Sequence, residues 1–148
     1  MVAVDGGFLL ARPEHLLNRL FRRHAVQGER LFMHPYDEFI EKRLRDRWEQ
    51  CDARQWFAAA PRHLFEFGRL ETDRILDSIY ARGADDVRVV GIPEDIKSSN
   101  SIDMILIVLP KQSDSRRQLF ELSELVAKES GLEGDVDEGQ KYMLLRWT

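Results

Sequence analysis

Residues 102–109 read Ile-Asp-Met-Ile-Leu-Ile-Val-Leu, a nearly continuous apolar run that Pro110 closes. A strand with one face in water alternates apolar and polar side chains, whereas a strand covered on both faces is apolar throughout. The run therefore predicts a central strand of a sheet that is buried on both sides. Asp103 is the one charged residue within it.

The segments on either side of this run alternate between strand and helix patterns. Strands are predicted at 63–67, 87–92 and 141–147 and helices at 70–82 and 114–130, with a polar loop at 93–101. Gly83 and Gly131 are natural C-terminal stops for the two helices. With right-handed crossovers, the order βαββαβ predicts an α+β, ferredoxin-like sandwich. Its antiparallel four-stranded sheet carries both helices on one face and has its first and third strands in the middle.

The first sixty residues are predicted to form a helical extension. Amphipathic helices are expected at 13–26 and 36–51, each with one apolar face. A ferredoxin-like domain at 61–148 leaves one face of its sheet bare, so we expect the extension at 1–60 to pack on that face and remove it from water. The side chains expected there are Phe39, Leu44 and Trp48. A homodimer is the other way to cover the same face.

The charge of the chain is unevenly distributed. The 148 residues are 43% hydrophobic, enough to bury a core, and carry a formal net charge of −4. Residues 1–62 hold 11 Lys and Arg against 9 Asp and Glu, whereas residues 63–148 hold 11 against 17. The acidity thus belongs to the second part, which argues against a general nucleic-acid or membrane-surface binder.

Cysteine usage and the N-terminal sequence indicate a compartment. Cys51 is the only cysteine, so an internal disulfide is impossible and a reducing environment is the simplest setting. Residues 1–11 have no cationic segment and too short an apolar run for a signal peptide, and no stretch approaches the length of a spanning helix. We therefore expect a cytoplasmic protein that does not bind membranes.

Catalytic and cofactor motifs are missing from the sequence. The four histidines lack metal-ligand spacing, and no glycine-rich phosphate loop or nucleophile motif occurs. We therefore expect a protein that is not an enzyme, with no catalytic residue, metal site or cofactor. Asp103 is interpreted as a structural carboxylate that pairs with a neighbouring base. The basic residues at 42–47 are interpreted as a solvated helix face, since acids interleave with them, and we expect no direct contact with nucleic acid.

Three stretches of the second part carry a resemblance to a known family. They are the aromatic segment His63-Leu64-Phe65-Glu66-Phe67, the helix that ends in Gly83 before Val87–Val90, and the segment Leu122–Gly131. On these stretches, residues 63–148 resemble the bacterial ribonuclease E inhibitor family, also called regulator of ribonuclease activity B. That family has a Tyr-Asp-Gly-Trp-like turn before its last strand, where this chain reads Asp-Val-Asp-Glu-Gly-Gln at 135–140.

The resemblance implies a non-enzymatic, acidic regulatory protein that binds and restrains a ribonuclease or its scaffold. A basic protein partner would dock on the acidic second part, with surface charges setting on-rate and salt dependence. The candidate contact residues are Glu129, Glu133, Asp135, Asp137 and Glu138. The other interpretation of these acids is that they only solvate a loop. Two other functions remain open: an immunity or antitoxin-type inhibitor of a basic enzyme, and a sensory domain that binds a small ligand at a dimer interface.

Overall fold

The computed structural model describes residues 33–148, so the helix predicted at 13–26 lies outside the described residues. The fold is α+β. Its helices are α1 (Pro35–Asp46), α2 (Ala53–Phe57), α3 (Arg69–Ala81), α4 (Pro93–Ser98) and α5 (Ser113–Glu129). Its strands are β1 (Glu49–Asp52), β2 (His63–Leu64), β3 (Asp86–Gly91), β4 (Ser101–Ile102), β5 (Met104–Val108) and β6 (Tyr142–Arg146).

The main sheet has four antiparallel strands in the order β1-β3-β5-β6. β5, the core of the apolar run, lies between β3 and β6, where Leu106 faces Arg88 on one side and Leu144 on the other. Four of its five residues are buried. The predicted four-stranded antiparallel sheet and its central apolar strand are therefore confirmed.

The ferredoxin-like strand order is not confirmed, because the segment predicted as the first strand lies outside this sheet. Only His63 and Leu64 are extended there, and they pair in parallel with β4 to form a separate two-stranded sheet. Phe65 then turns with φ of 50°, a left-handed conformation that ends an extended strand. The strands of the main sheet follow one another in chain order, so its two middle strands are β3 and β5.

The edge of the main sheet is formed instead by β1, from residues predicted to end a helix. α1 stops at Asp46, and the amide of Trp48 bonds back to the carbonyl of Arg43 to close the last turn. The next residues, Glu-Gln-Cys-Asp, pair with β3, and Cys51 packs against the core. Two short helices, α2 and α4, were also not predicted; α4 occupies most of the expected polar loop at 93–101.

One face of the sheet packs against α2, α3 and α5. Leu76 of α3 and Leu119 of α5 are fully or almost fully buried there against Ile105 and Ile107 of β5. Trp56 of α2 joins the same core, and its indole N–H donates to the carbonyl of Ile96 over 2.7 Å. An unsatisfied indole N–H in a core is destabilising, and the bond to Ile96 both satisfies it and links α2 to α4.

The opposite face of the sheet is covered by α1. Successive strand residues point to opposite faces, so Leu106 of β5 lies on this second side, where Ile40 of α1 covers it with no exposed surface of its own. Leu44 and Trp48 pack against the same cluster, as expected from the sequence. The expectation for Phe39 is wrong: it is 45% exposed and lies beneath the guanidinium of Arg43.

Candidate partner-binding site

The five predicted contact residues lie at the end of α5 and in the connection to β6. Glu129 is the last residue of α5, Glu133 is exposed in the following loop, and the other three lie within one turn at 135–140. The turn is ordered by two side chains that the sequence does not single out, Arg116 and Gln140.

Arg116 ties the turn to the start of α5. Its guanidinium donates to both carboxylate oxygens of Asp137, at 3.2 and 2.7 Å, and to the carbonyls of Pro110 and Gln140. Such a bidentate pair is stronger and better oriented than a single ion-pair contact. Burial alone would raise the pKa of Asp137, but the bonds from Arg116 and from the Gly139 amide outweigh it and lower that pKa.

Gln140 holds the turn from inside. Its side chain is buried, accepts from the amide of Glu138 over 2.7 Å and donates to the carbonyl of Val136 over 3.0 Å. Glu138 also contacts His34, with 2.9 Å between Oε1 and Nε2. His34 Nδ1 accepts from the amide of Tyr36, which leaves the proton on Nε2 to donate to Glu138. Asp137 and Glu138 are therefore engaged within the protein.

Glu129, Glu133 and Asp135 differ from these two acids because none forms an ion pair with a described residue. Glu124, on the outward side of α5, shares this property and lies beside the loop. We call Glu124, Glu129, Glu133 and Asp135 the acidic surface. All four are exposed.

Gly134 brings the loop of the acidic surface against α5. A Cβ at this position would lie 2.6 Å from Cα and 2.7 Å from the backbone nitrogen of Glu124, closer than any side chain can approach. Next to it, the amide of Asp135 donates to the hydroxyl of Ser123 over 3.1 Å. These contacts hold the backbone of the loop against α5 beside Glu124. Burial raises the pKa of Asp135, although its side chain reaches the surface.

A cleft of about 670 Å³ opens between the same loop and the start of α1. Its lining includes His34, Tyr36, Asp135, Glu138 and Gln140. Burial, followed by the negative charge of Asp135, raises the pKa of the Tyr36 phenol. The polar groups of the cleft are largely engaged with one another, through the contacts of His34 and Gln140 with Glu138.

Asp37 attaches α1 to the outer edge of β6. The residue is 6% exposed, and its carboxylate accepts from the amide of Lys141, at 3.0 and 2.8 Å, and from the amide of Tyr142, at 3.1 Å. Beside it, the hydroxyl of Tyr142 donates to Glu41 over 2.9 Å. Burial raises the pKa of Asp37 from 3.8 to about 6, against the lowering effect of the two amides. Outward-facing strand amides otherwise offer a template for pairing with another chain, and Asp37 occupies these two amides at the start of β6.

The remaining sequence candidates lie apart from this site. Asp103 sits between β4 and β5, exposed, and forms no ion pair with a described residue, so the expected pairing with a neighbouring base is wrong. Within residues 33–148, no group of three or more His, Cys, Asp or Glu side chains is arranged as metal ligands. None of the helices in that range combines the length and apolar character needed to cross a bilayer.

The chain was compared with protein-family models, with curated protein sequences and with solved structures, and no match was found in any of the three.

Proposed function

We propose that this protein is a non-enzymatic regulator that binds a basic protein partner through the acidic surface. The observation that carries the proposal is the contrast within one short region. Asp137 and Glu138 are engaged internally, whereas Glu124, Glu129, Glu133 and Asp135 are exposed and form no ion pair with a described residue. Each of these exposed carboxylates is accessible to an approaching Lys or Arg, and charge complementarity of this kind raises the rate and specificity of association.

The arrangement of the loop supports a preformed contact surface. Gly134 packs directly on α5, and Arg116 and Gln140 fix the turn that follows, so the loop backbone needs little ordering when a partner binds. Preorganisation of the loop backbone lowers the entropic cost of association, although the exposed carboxylate side chains must still be ordered by the partner. The resemblance of residues 63–148 to the ribonuclease E inhibitor family makes a ribonuclease the first partner to test. An immunity-type inhibitor would use the same surface on a different enzyme.

The proposal is tested by affinity capture with the full chain as bait, followed by quantitative mass spectrometry. We expect a basic enzyme to be enriched at low salt, to be lost at high salt, and to be inhibited by the purified protein. The variant Glu124→Gln/Glu133→Gln/Asp135→Asn should weaken binding of that enzyme roughly tenfold, since three exposed charge contacts contribute about 0.5 kcal/mol each.

The matched control is Asp73→Asn/Glu94→Gln/Asp95→Asn, which removes the same charge from exposed acids elsewhere on the protein. If both variants lose binding equally, the effect of the loop substitutions comes from net charge and not from the acidic surface. Capture that is insensitive to the loop substitutions and to salt would refute the proposed function.

A further inference from the structure

A groove of about 240 Å³ runs between α3 and α5 on the outside of the helical layer. Ile75 contributes to it from α3, Leu122 and Val126 contribute from α5, and Trp147 also lines it. The groove is smaller than the roughly 300–1,000 Å³ of sites that enclose small molecules. It therefore has room for one or two side chains of a larger partner.

Leu125 forms an apolar rim of this groove. It is 56% exposed, whereas Leu122, one turn before it, is half-buried. A single exposed leucine is unremarkable on a protein surface. Beside an apolar groove, however, it widens the area that a partner can remove from water, at roughly 25 cal/mol per Å².

Two carboxylates lie at one end of the groove. Glu71 lines it from the first turn of α3 and Glu129 from the last turn of α5. A Cβ at Gly83, just after α3, would contact Ser115 near the start of α5, so the two helices run in opposite directions. Glu71 and Glu129 therefore face each other across the same end, both exposed and neither in an ion pair with a described residue.

We propose that this groove docks a helical segment of the basic partner, with an apolar side chain in the groove and an Arg or Lys between Glu71 and Glu129. Side chains three or four residues apart on a helix share a face, so one turn presents both groups. The inference rests on the proposed function, because Glu129 belongs to both the acidic surface and the groove. Interface hot spots are enriched in Arg and aromatic side chains that are seated in well-packed pockets.

The test uses fluorescence anisotropy with a labelled 15-residue helical peptide. The peptide carries two Leu four residues apart, and an Arg follows each Leu by three residues. We expect saturable binding to the full chain, weakened at least tenfold by Leu125→Ser and at least fivefold by Glu71→Gln/Glu129→Gln. The matched controls are Leu132→Ser, which replaces a leucine 59% exposed outside the groove, and Glu94→Gln/Asp95→Asn. Peptides with Ser for Leu, or with Glu for Arg, should bind at least tenfold more weakly.

Absence of binding by the basic peptide, or equal affinities of the Leu125→Ser and Leu132→Ser variants, would overturn the groove assignment. The proposed function is tested separately, since Glu124, Glu133 and Asp135 do not line the groove. If their substitution abolishes capture of the basic enzyme while Leu125→Ser leaves it intact, the regulator is upheld and the groove is excluded. If neither the loop substitutions nor Leu125→Ser changes capture of the basic enzyme, both proposals are wrong.

Discussion

At the scale of single residues, the protonation of Asp37 is tied to the fold in the mildly acidic pH range. The residue is almost completely buried, and burial raises its pKa to about 6 although two backbone amides donate to it. In the unfolded chain the pKa returns to about 3.8. The folded protein therefore binds a proton at Asp37 more tightly than the unfolded chain does.

This difference predicts a pH dependence of the unfolding free energy. A carboxyl with a raised folded-state pKa contributes stability that is fully present below its unfolded pKa and is lost as the pH rises through its folded pKa. Between pH 4 and pH 7, we expect the contribution of Asp37 to fall by roughly 3 kcal/mol at most, at 1.36 kcal/mol per pKa unit.

Urea unfolding at pH steps across this window measures the slope, and carboxyl ¹³C chemical shifts locate the titration itself. The Asp37→Asn variant cannot titrate at this position, so its profile should be flatter than that of the native chain. Identical slopes in both proteins would show that Asp37 has an ordinary pKa in the fold.

The internal pairing of Asp137 and Glu138 illustrates what the sequence could not reveal at this scale. The acidic composition of 135–138 is evident from the sequence, and it correctly draws attention to the turn. Arg116 lies 21 residues before Asp137, and His34 lies 104 residues before Glu138, so neither contact follows from local spacing. Which acids remain exposed without a cation is decided by tertiary structure.

At the scale of secondary-structure elements, α1 packs on the sheet through only part of its apolar face. Ile40 is fully buried against the sheet, whereas its neighbour Phe39 is 45% exposed. We expect Ile40→Ala to lower the unfolding free energy by about 2–5 kcal/mol, because it leaves a cavity in a packed cluster. Phe39→Ala should cost less than about 1 kcal/mol, since it removes mainly an exposed cation–π contact with Arg43.

Chemical denaturation of the two variants, side by side with the native chain, measures both effects. A larger loss for Phe39→Ala than for Ile40→Ala would mean that α1 lies on the sheet with a different face from the one described.

The elements that sequence patterns predicted well are those with a full apolar periodicity. β3, β5, β6, α3 and α5 lie within one residue of their predicted bounds, except that β5 begins two residues later because Ser101 and Ile102 form β4. β1 was missed because Glu-Gln-Cys-Asp shows no alternation, and because Trp48 and Cys51 continue the helical spacing of α1. Its strand conformation comes from pairing with β3, a non-local contact.

The sequence of α4 does contain a recognisable helix pattern. Pro93 stands at its first position, Glu94 and Asp95 occupy its first turn, and Lys97 its last. Proline at the start, acids near the N-terminus and a base near the C-terminus are together typical of a helix. The predicted strand at 63–67 failed for a different reason, since the left-handed backbone of Phe65 has no signature in a non-glycine residue.

At the scale of the whole molecule, one sheet separates two clusters of apolar side chains that depend on different parts of the chain. The cluster beneath α1 needs Ile40 and its neighbours, whereas the larger one is built by α2, α3 and α5. Removing α1 should therefore uncover one face of the sheet while leaving the other packed.

We expect a chain that begins at Trp48 to expose Val90, Leu106 and Tyr142, to bind a hydrophobic dye strongly and to self-associate. The matched control begins at Met33 and keeps α1, so it should bind little dye. Size-exclusion chromatography and dye fluorescence compare the two. A monomeric, dye-silent fragment from Trp48 would contradict the role assigned to α1.

The bonds from Asp37 to Lys141 and Tyr142 can form only late in synthesis of the chain. Asp37 lies 104 residues before Lys141 and 105 residues before Tyr142, so α1 is translated first. Translation adds roughly 5–20 residues per second, so on the order of 5–20 s pass between the synthesis of α1 and that of the start of β6. During that interval the amphipathic helix has no sheet edge to hold, so a nascent chain is a candidate client for chaperones that recognise exposed apolar segments.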